Sequence, residues 1–186
     1  MPRGRRCILP RSGESGRSRQ AVGYSRLPGG ASRPSHDHRR ANVKKRLVKS
    51  PKVYVRDSGL VHTLLRLDTL DDLLGHPVAG MSWEGFVIET LLRAAPERTQ
   101  ASFYRTTTGV EMDLVLELPG NRLWTVEVKR GLAPMIEAGT YTALEDMNPD
   151  AAFLVYSGDE RYPKGGGIEA IGLRQLAQEL ATLDAA

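Results

Sequence analysis

Two apolar segments separated by a short turn constrain the fold of this chain more than any other feature. Met112 to Leu118 and Leu123 to Lys129 are rich in valine, leucine and other strand-forming residues, and Pro-Gly-Asn-Arg lies between them. This pattern predicts a β-hairpin. If Leu118 pairs with Arg122, each step back along the first strand matches one step along the second, and Asp113 lies opposite Glu127. A shift of the register by one residue would put the two carboxylates on opposite faces.

The chemistry of this hairpin depends on the charges that it brings together. Two carboxylates that face each other across a strand pair repel, and a divalent cation with a preference for hard oxygen ligands would remove that repulsion. Lys129 lies two residues after Glu127 and therefore on the same face. Its ammonium group could orient an attacking water or stabilise charge that develops on a phosphate. The simpler alternative is an exposed surface hairpin in which Lys129 pairs with Glu127.

A predicted helix over residues 81–95 contributes a third acid. At 100° per residue, Glu84 falls in the middle of the apolar stripe that Ile88, Leu91 and Ala95 form. A carboxylate at such a position is costly to bury unless it is paired or bound to a cation. Glu84 is therefore a candidate for the same metal site, and a salt bridge to a buried Arg or Lys is the alternative.

The other periodic segments predict the fold class. Helices are expected after the capping residues Asp57 and Ser58, over 68–74, over 135–146 and over 173–183, and strands over 53–55, 102–107, 152–156 and 168–171. This order of elements is typical of an α/β fold with a mixed central sheet and flanking helices.

The charge of the chain is distributed unevenly. The formal net charge is +4, but residues 1–50 hold 14 of the 26 Lys and Arg residues and only two acids, Glu14 and Asp37, so the remainder is acidic. Residues 1–42 are rich in Arg, Gly, Ser and Pro and show no periodicity, which predicts a disordered basic tail. Three interpretations of this tail stay open: a nucleic-acid-binding arm, a transit peptide, or a mis-started or frameshifted segment.

Several function classes are excluded or disfavoured. The sequence has no G-x-x-x-x-G-K-[ST] loop, so we expect neither ATP binding nor ATPase activity from this chain. Cys7 is the only cysteine, which excludes an internal disulfide and is consistent with a cytoplasmic location. No apolar run approaches the roughly 18 residues of a membrane span, so we expect no membrane association.

Four segments in order along the chain carry a family resemblance. These are Lys44–Leu60, Gly80–Leu91, Tyr104–Asp113 and Val126–Lys129. Together they resemble the domain of unknown function 4143, which forms the C-terminal part of a group of bacterial and archaeal AAA+-type ATPases. The arrangement Gly80-x-x-x-Glu84, Asp113 and Glu127-x-Lys129 also resembles the PD-(D/E)XK nuclease superfamily, with Met112 in place of the proline.

The resemblance implies a fold, a site and a function. It implies a restriction-endonuclease-like domain over residues 43–186 of a prokaryotic protein that looks truncated at its N-terminus. Asp113, Glu127 and Glu84 would be metal ligands for Mg²⁺ or Mn²⁺, with Lys129 as the catalytic lysine. The expected activity is metal-dependent hydrolysis of DNA phosphodiesters, and the alternative is a non-catalytic module that binds DNA or docks to an ATPase partner. The sequence leaves the oligomeric state open.

Overall fold

The computed structural model of the protein describes residue 52 and residues 54–183. The tail predicted over residues 1–42, together with residues 43–51 and Val53, lies outside the described residues. The helices are α1 (Ser58–Leu64), α2 (Leu70–Gly75), α3 (Val78–Ala94), α4 (Ala138–Met147) and α5 (Leu173–Thr182). The strands are β1 (Gln100–Arg105), β2 (Glu111–Leu118), β3 (Arg122–Val128), β4 (Ala151–Tyr156), β5 (Tyr162–Gly165) and β6 (Ile168–Gly172).

All six strands form one mixed sheet in the order β1-β2-β3-β4-β6-β5. Strands β1, β2 and β3 form an antiparallel meander, whereas β4 runs parallel to both β3 and β6. The crossover from β3 to β4 contains α4, as a parallel connection requires. The predicted α/β class with a mixed central sheet and flanking helices is therefore confirmed.

Helices cover both faces of the sheet. On one face, Val87, Ile88 and Leu91 of α3 and Leu176 and Leu180 of α5 pack against β2, β3, β4 and β6. On the other face, α4 contributes Ala143 and Leu144 to a second cluster. Burial on both faces explains why the sequence of β4 is an uninterrupted apolar run. None of the helices within the described residues combines the length and the apolar character that crossing a bilayer requires.

The β2–β3 hairpin adopts the register expected from the sequence. Leu118 pairs with Arg122 and Leu114 with Val126. Gly120 and Asn121 have φ angles of +76° and +61°, a left-handed conformation that glycine and asparagine tolerate better than other residues. The turn sequence thus fixes the register, and the register fixes which side chains share a face.

One prediction about the strands was wrong, and one observed strand was not predicted. Tyr54 and Val55 belong to no strand; the Tyr54 side chain packs against α3, where an ideal Cβ at Gly85 would lie 3.3 Å from its ring. Strand β5 was not predicted, because it is a short edge strand whose proline and lysine give no apolar alternation. In addition, α3 begins at Val78, three residues before its predicted start, and α4 begins at Ala138.

Candidate functional site

The hairpin brings Asp113 and Glu127 to one cavity. Asp113 lies on β2 next to the Leu114–Val126 pair, and its Oδ2 atom accepts a hydrogen bond of 3.0 Å from the Val128 amide of β3. This bond anchors the carboxylate to the neighbouring strand. Burial and the charge of Glu84 raise the pKa of Asp113, and the ammonium group of Lys52 opposes that rise.

Glu127 is the most buried acid of the site. Its residue exposure is 7%, and burial together with the charge of Asp113 raises its pKa to about 7. The Lys129 ammonium lies 3.0 Å from Glu127 Oε1 and 2.8 Å from Glu137 Oε1. Burial alone would lower the pKa of Lys129, but the bonds to Glu137 and Glu127 raise it overall, and Lys129 therefore stays charged.

Helix α3 places Glu84 at the same cavity. The indole N–H of Trp83 donates a 3.3 Å hydrogen bond to the Lys129 carbonyl, which ties α3 to the end of β3. All four residues predicted for the site, Glu84, Asp113, Glu127 and Lys129, line one open cavity of about 590 Å³. Two elements far apart in sequence, a helix and a hairpin, thus converge as expected.

Lys52 and Tyr54 complete the site and were not predicted. The Lys52 Nζ atom lies 2.9 Å from Glu84 Oε1 and 2.9 Å from Asp113 Oδ1, and it also contacts Glu111. The Tyr54 hydroxyl donates to Glu84. Burial alone would lower the pKa of Lys52, but the charge of Asp113 and the bonds to all three acids raise it overall. The alternative considered for Glu84, a salt bridge to a buried lysine, is therefore what the structure shows.

One of the missed residues left a signal in the sequence. Glu111 lies two positions before Asp113 on the same strand, so strand periodicity alone places both on one face. Lys52 and Tyr54 left no comparable signal, because they belong to an irregular segment whose position depends on packing against α3. The pairing of Lys129 with Glu127 was the alternative for an exposed hairpin, but here Glu127 is buried.

The donor chemistry of the site suits a hard divalent cation, although a complete ligand set is not assembled. Within residues 52 and 54–183, no three His, Cys, Asp or Glu side chains stand in an arrangement that would hold a metal ion. Mg²⁺, however, commonly uses only one or two carboxylates and takes its other ligands from water and substrate phosphates. Asp113 and Glu127, which share a face and repel each other, fit a site of that kind.

Sequence comparison places the chain in a family. The family model of the domain of unknown function 4143 matches residues 79–176, more than half of the chain. The chain belongs to the family of the domain of unknown function 4143. The match begins within α3 and ends within α5, so the 4143 domain of this protein contains Glu84, Asp113, Glu127 and Lys129.

A second family model and two curated relatives extend the comparison. The domain of unknown function 8612 matches residues 32–71, which include Lys52 and Tyr54 next to the 4143 domain. The uncharacterized proteins Rv2008c of Mycobacterium tuberculosis and Mb2031c of Mycobacterium bovis are each 38% identical over 136 residues. Those residues are 73% of this chain but 30% of each relative, so the chain spans less than a third of their length. No solved structure matches the chain.

Proposed function

We propose that this chain carries a nuclease-like domain that hydrolyses DNA phosphodiesters with Mg²⁺ or Mn²⁺. The observation that carries the proposal is the convergence of Glu84, Asp113, Glu127 and Lys129 from α3, β2 and β3 on one cavity. Three carboxylates with a lysine beside them form the constellation expected of the PD-(D/E)XK superfamily and its restriction-endonuclease-like fold. The proposal includes a cytoplasmic location and a functional link to an AAA+-type ATPase domain.

The charge balance around the cavity supports a role for a metal. The lining residues include five carboxylates and three cations, so their net charge would repel a phosphodiester backbone. A divalent ion bound by Asp113 and Glu127 would reverse the local sign and allow a phosphate to approach. The acidic character of residues 51–186, which argues against a nucleic-acid groove in the absence of metal, is then a property that a metal site requires.

Each residue has a distinct task in this proposal. Asp113 and Glu127 would hold the metal ion, which would supply Lewis-acid activation of the phosphate and of a bound water. Glu84, held by the Tyr54 hydroxyl, would orient a water at the same site. The Lys129 ammonium, which Glu127 and Glu137 fix from two sides, would stabilise negative charge on the attacked phosphate.

Cleavage assays on the full chain test the proposal. Linear, branched and single-stranded DNA are incubated with Mg²⁺ or Mn²⁺, and Asp113→Ala should lower any cleavage rate by about a hundredfold or more. Asp71→Ala, which removes an exposed acid of α2, is the matched control and should cleave like the wild type. Equal cleavage by Asp113→Ala would trace the activity to a contaminant, and no cleavage of any substrate would refute the proposal.

A non-catalytic module is the second candidate, and the contacts of Lys52 favour it. One buried ammonium already neutralises part of the charge of Glu84, Glu111 and Asp113, so the fold can persist without a metal. In that case the domain would bind DNA or dock to an ATPase partner. Calorimetry separates the two candidates: Mn²⁺ binding that Asp113→Asn abolishes favours the nuclease, and a folded chain that binds no Mn²⁺ favours the module.

A further inference from the structure

Lys52 lies among three acids, Glu84, Glu111 and Asp113. Two of them, Glu84 and Asp113, belong to the proposed metal site. The Lys52 ammonium group contacts one oxygen of each acid, and its side chain is only 12% exposed. Three carboxylates from α3 and β2 therefore surround one positive charge. A buried ammonium group with three anionic partners occupies the kind of position that a bound cation would take.

The two oxygens of Asp113 show why Lys52 and a metal would compete. Oδ2 accepts the Val128 amide hydrogen bond at 3.0 Å, and Oδ1 accepts the Lys52 ammonium at 2.9 Å. A metal ion that approached the oxygen not bonded to the Val128 amide would therefore meet the Lys52 ammonium group. Glu84 differs from Asp113, because a single oxygen, Oε1, accepts both the Lys52 ammonium and the Tyr54 hydroxyl.

The charges around Lys52 favour replacement of its ammonium group by a divalent ion. The Lys52 ammonium and the Arg105 guanidinium, which pairs with Glu111, leave the three carboxylates with an excess of negative charge. A divalent ion brings twice the charge of Lys52. The lysine side chain has four rotatable bonds, so its ammonium group can leave while its backbone stays in place. Tyr54, packed against Gly85 and bonded to Glu84, holds that backbone near the site.

We infer that Lys52 is a built-in counter-ion of the acidic site, and that a divalent cation binds Asp113 by displacing its ammonium group. This inference rests on the proposed metal-dependent function and adds its control by the chain itself. Lys52 partly neutralises the three carboxylates when no metal is bound, and in doing so lowers the affinity of the site for divalent ions.

Calorimetric titration of the full chain with Mn²⁺ tests the inference. Lys52→Met removes the ammonium group and keeps an unbranched side chain, and we expect it to bind Mn²⁺ at least about tenfold more tightly than the wild type. Arg105→Met is the matched control, because Arg105 contacts Glu111 and has no contact with Asp113 in the described structure. It should change the affinity much less than Lys52→Met.

The outcomes distinguish this inference from the proposed function. Tighter binding by Lys52→Met supports the inference, also where the wild type binds too weakly to measure. Wild-type binding with equal or weaker binding by Lys52→Met overturns the inference and leaves the metal site intact. If neither protein binds Mn²⁺ while both are folded, the inference and the metal-dependent function fail together.

Lysine acylation of the wild type keeps the test decisive if Lys52→Met does not fold. Mass spectrometry would follow the reaction of Lys52 with acetic anhydride with and without Mn²⁺, and Lys164 on β5 would serve as the internal reference. Displacement predicts that Mn²⁺ increases the reactivity of Lys52 relative to Lys164. Unchanged reactivity of Lys52 at a Mn²⁺ concentration that saturates the site would overturn the inference.

Discussion

At the scale of single residues, Glu127 is a site of electrostatic conflict. It is a buried carboxylate on the same face as Asp113, and Lys129 offsets only part of the cost. Buried carboxylates with a raised pKa are typical of functional sites, and they reduce the stability of the fold while they are charged. The conflict therefore has a measurable consequence for stability.

We expect Glu127→Gln to stabilise the metal-free protein at alkaline pH. Burial and the Asp113 charge raise the folded-state pKa of Glu127 to about 7, above the 4.5 of an unperturbed glutamate. The folded state then binds more protons than the unfolded state between these two values, so stability falls as the pH rises through that window. At pH 8 the amide should add about 1–3 kcal/mol to the free energy of unfolding, a gain that disappears near pH 4.

Urea denaturation in EDTA across that pH range measures the effect. Glu97→Gln, which alters an exposed loop acid between α3 and β1, is the control and should follow the wild type at every pH. Parallel stability curves for Glu127→Gln and the wild type between pH 4 and pH 8 would contradict the raised pKa.

At the scale of elements, the site depends on how closely the segment before α1 approaches α3. Gly85 lies on the buried side of α3, and a Cβ there would lie 3.3 Å from the Tyr54 ring. Gly80 of the same helix is exposed, and a Cβ there would meet no atom within 4 Å. The two glycines therefore form a matched pair within one helix.

Substitution of these glycines should give opposite results. Gly80→Ala should raise the free energy of unfolding by about 0.5–1 kcal/mol, because alanine favours the helix and nothing opposes the new methyl group. Gly85→Leu should lower it by about 1–3 kcal/mol, because the side chain overpacks against Tyr54. Thermal denaturation of both variants checks the pair. A Gly85→Leu protein as stable as Gly80→Ala would show that Tyr54 does not rest on α3.

The difference between local and long-range contacts explains which parts of the site the sequence could predict. The β2–β3 register followed from local turn chemistry, so the convergence of Asp113, Glu127 and Lys129 was predictable. Strand periodicity would also have revealed Glu111. Lys52 was not predictable in the same way, because its position depends on a contact between Tyr54 and Gly85, 31 positions apart in the sequence.

At the scale of the molecule, the sheet links the site to the core. Glu127 of β3 pairs in register with Leu154 of β4, which is fully buried. The fold class was predictable because parallel strands buried on both faces have continuous apolar sequences. The edge strand β5 was not, since an exposed four-residue strand has little apolar pattern. The central strands should accordingly dominate the stability of the whole fold.

Leu154→Ala tests that dependence. It removes three buried carbon atoms next to the Glu127 register position and should lower the free energy of unfolding by about 2–5 kcal/mol. Leu132→Ala is the matched control, because Leu132 is 75% exposed, and its effect should stay within about 0.5 kcal/mol. Urea denaturation of the full chain measures both. If Leu154→Ala costs no more than Leu132→Ala, then β4 is not the centre of the core, and the support that it gives to β3 and Glu127 must come from elsewhere.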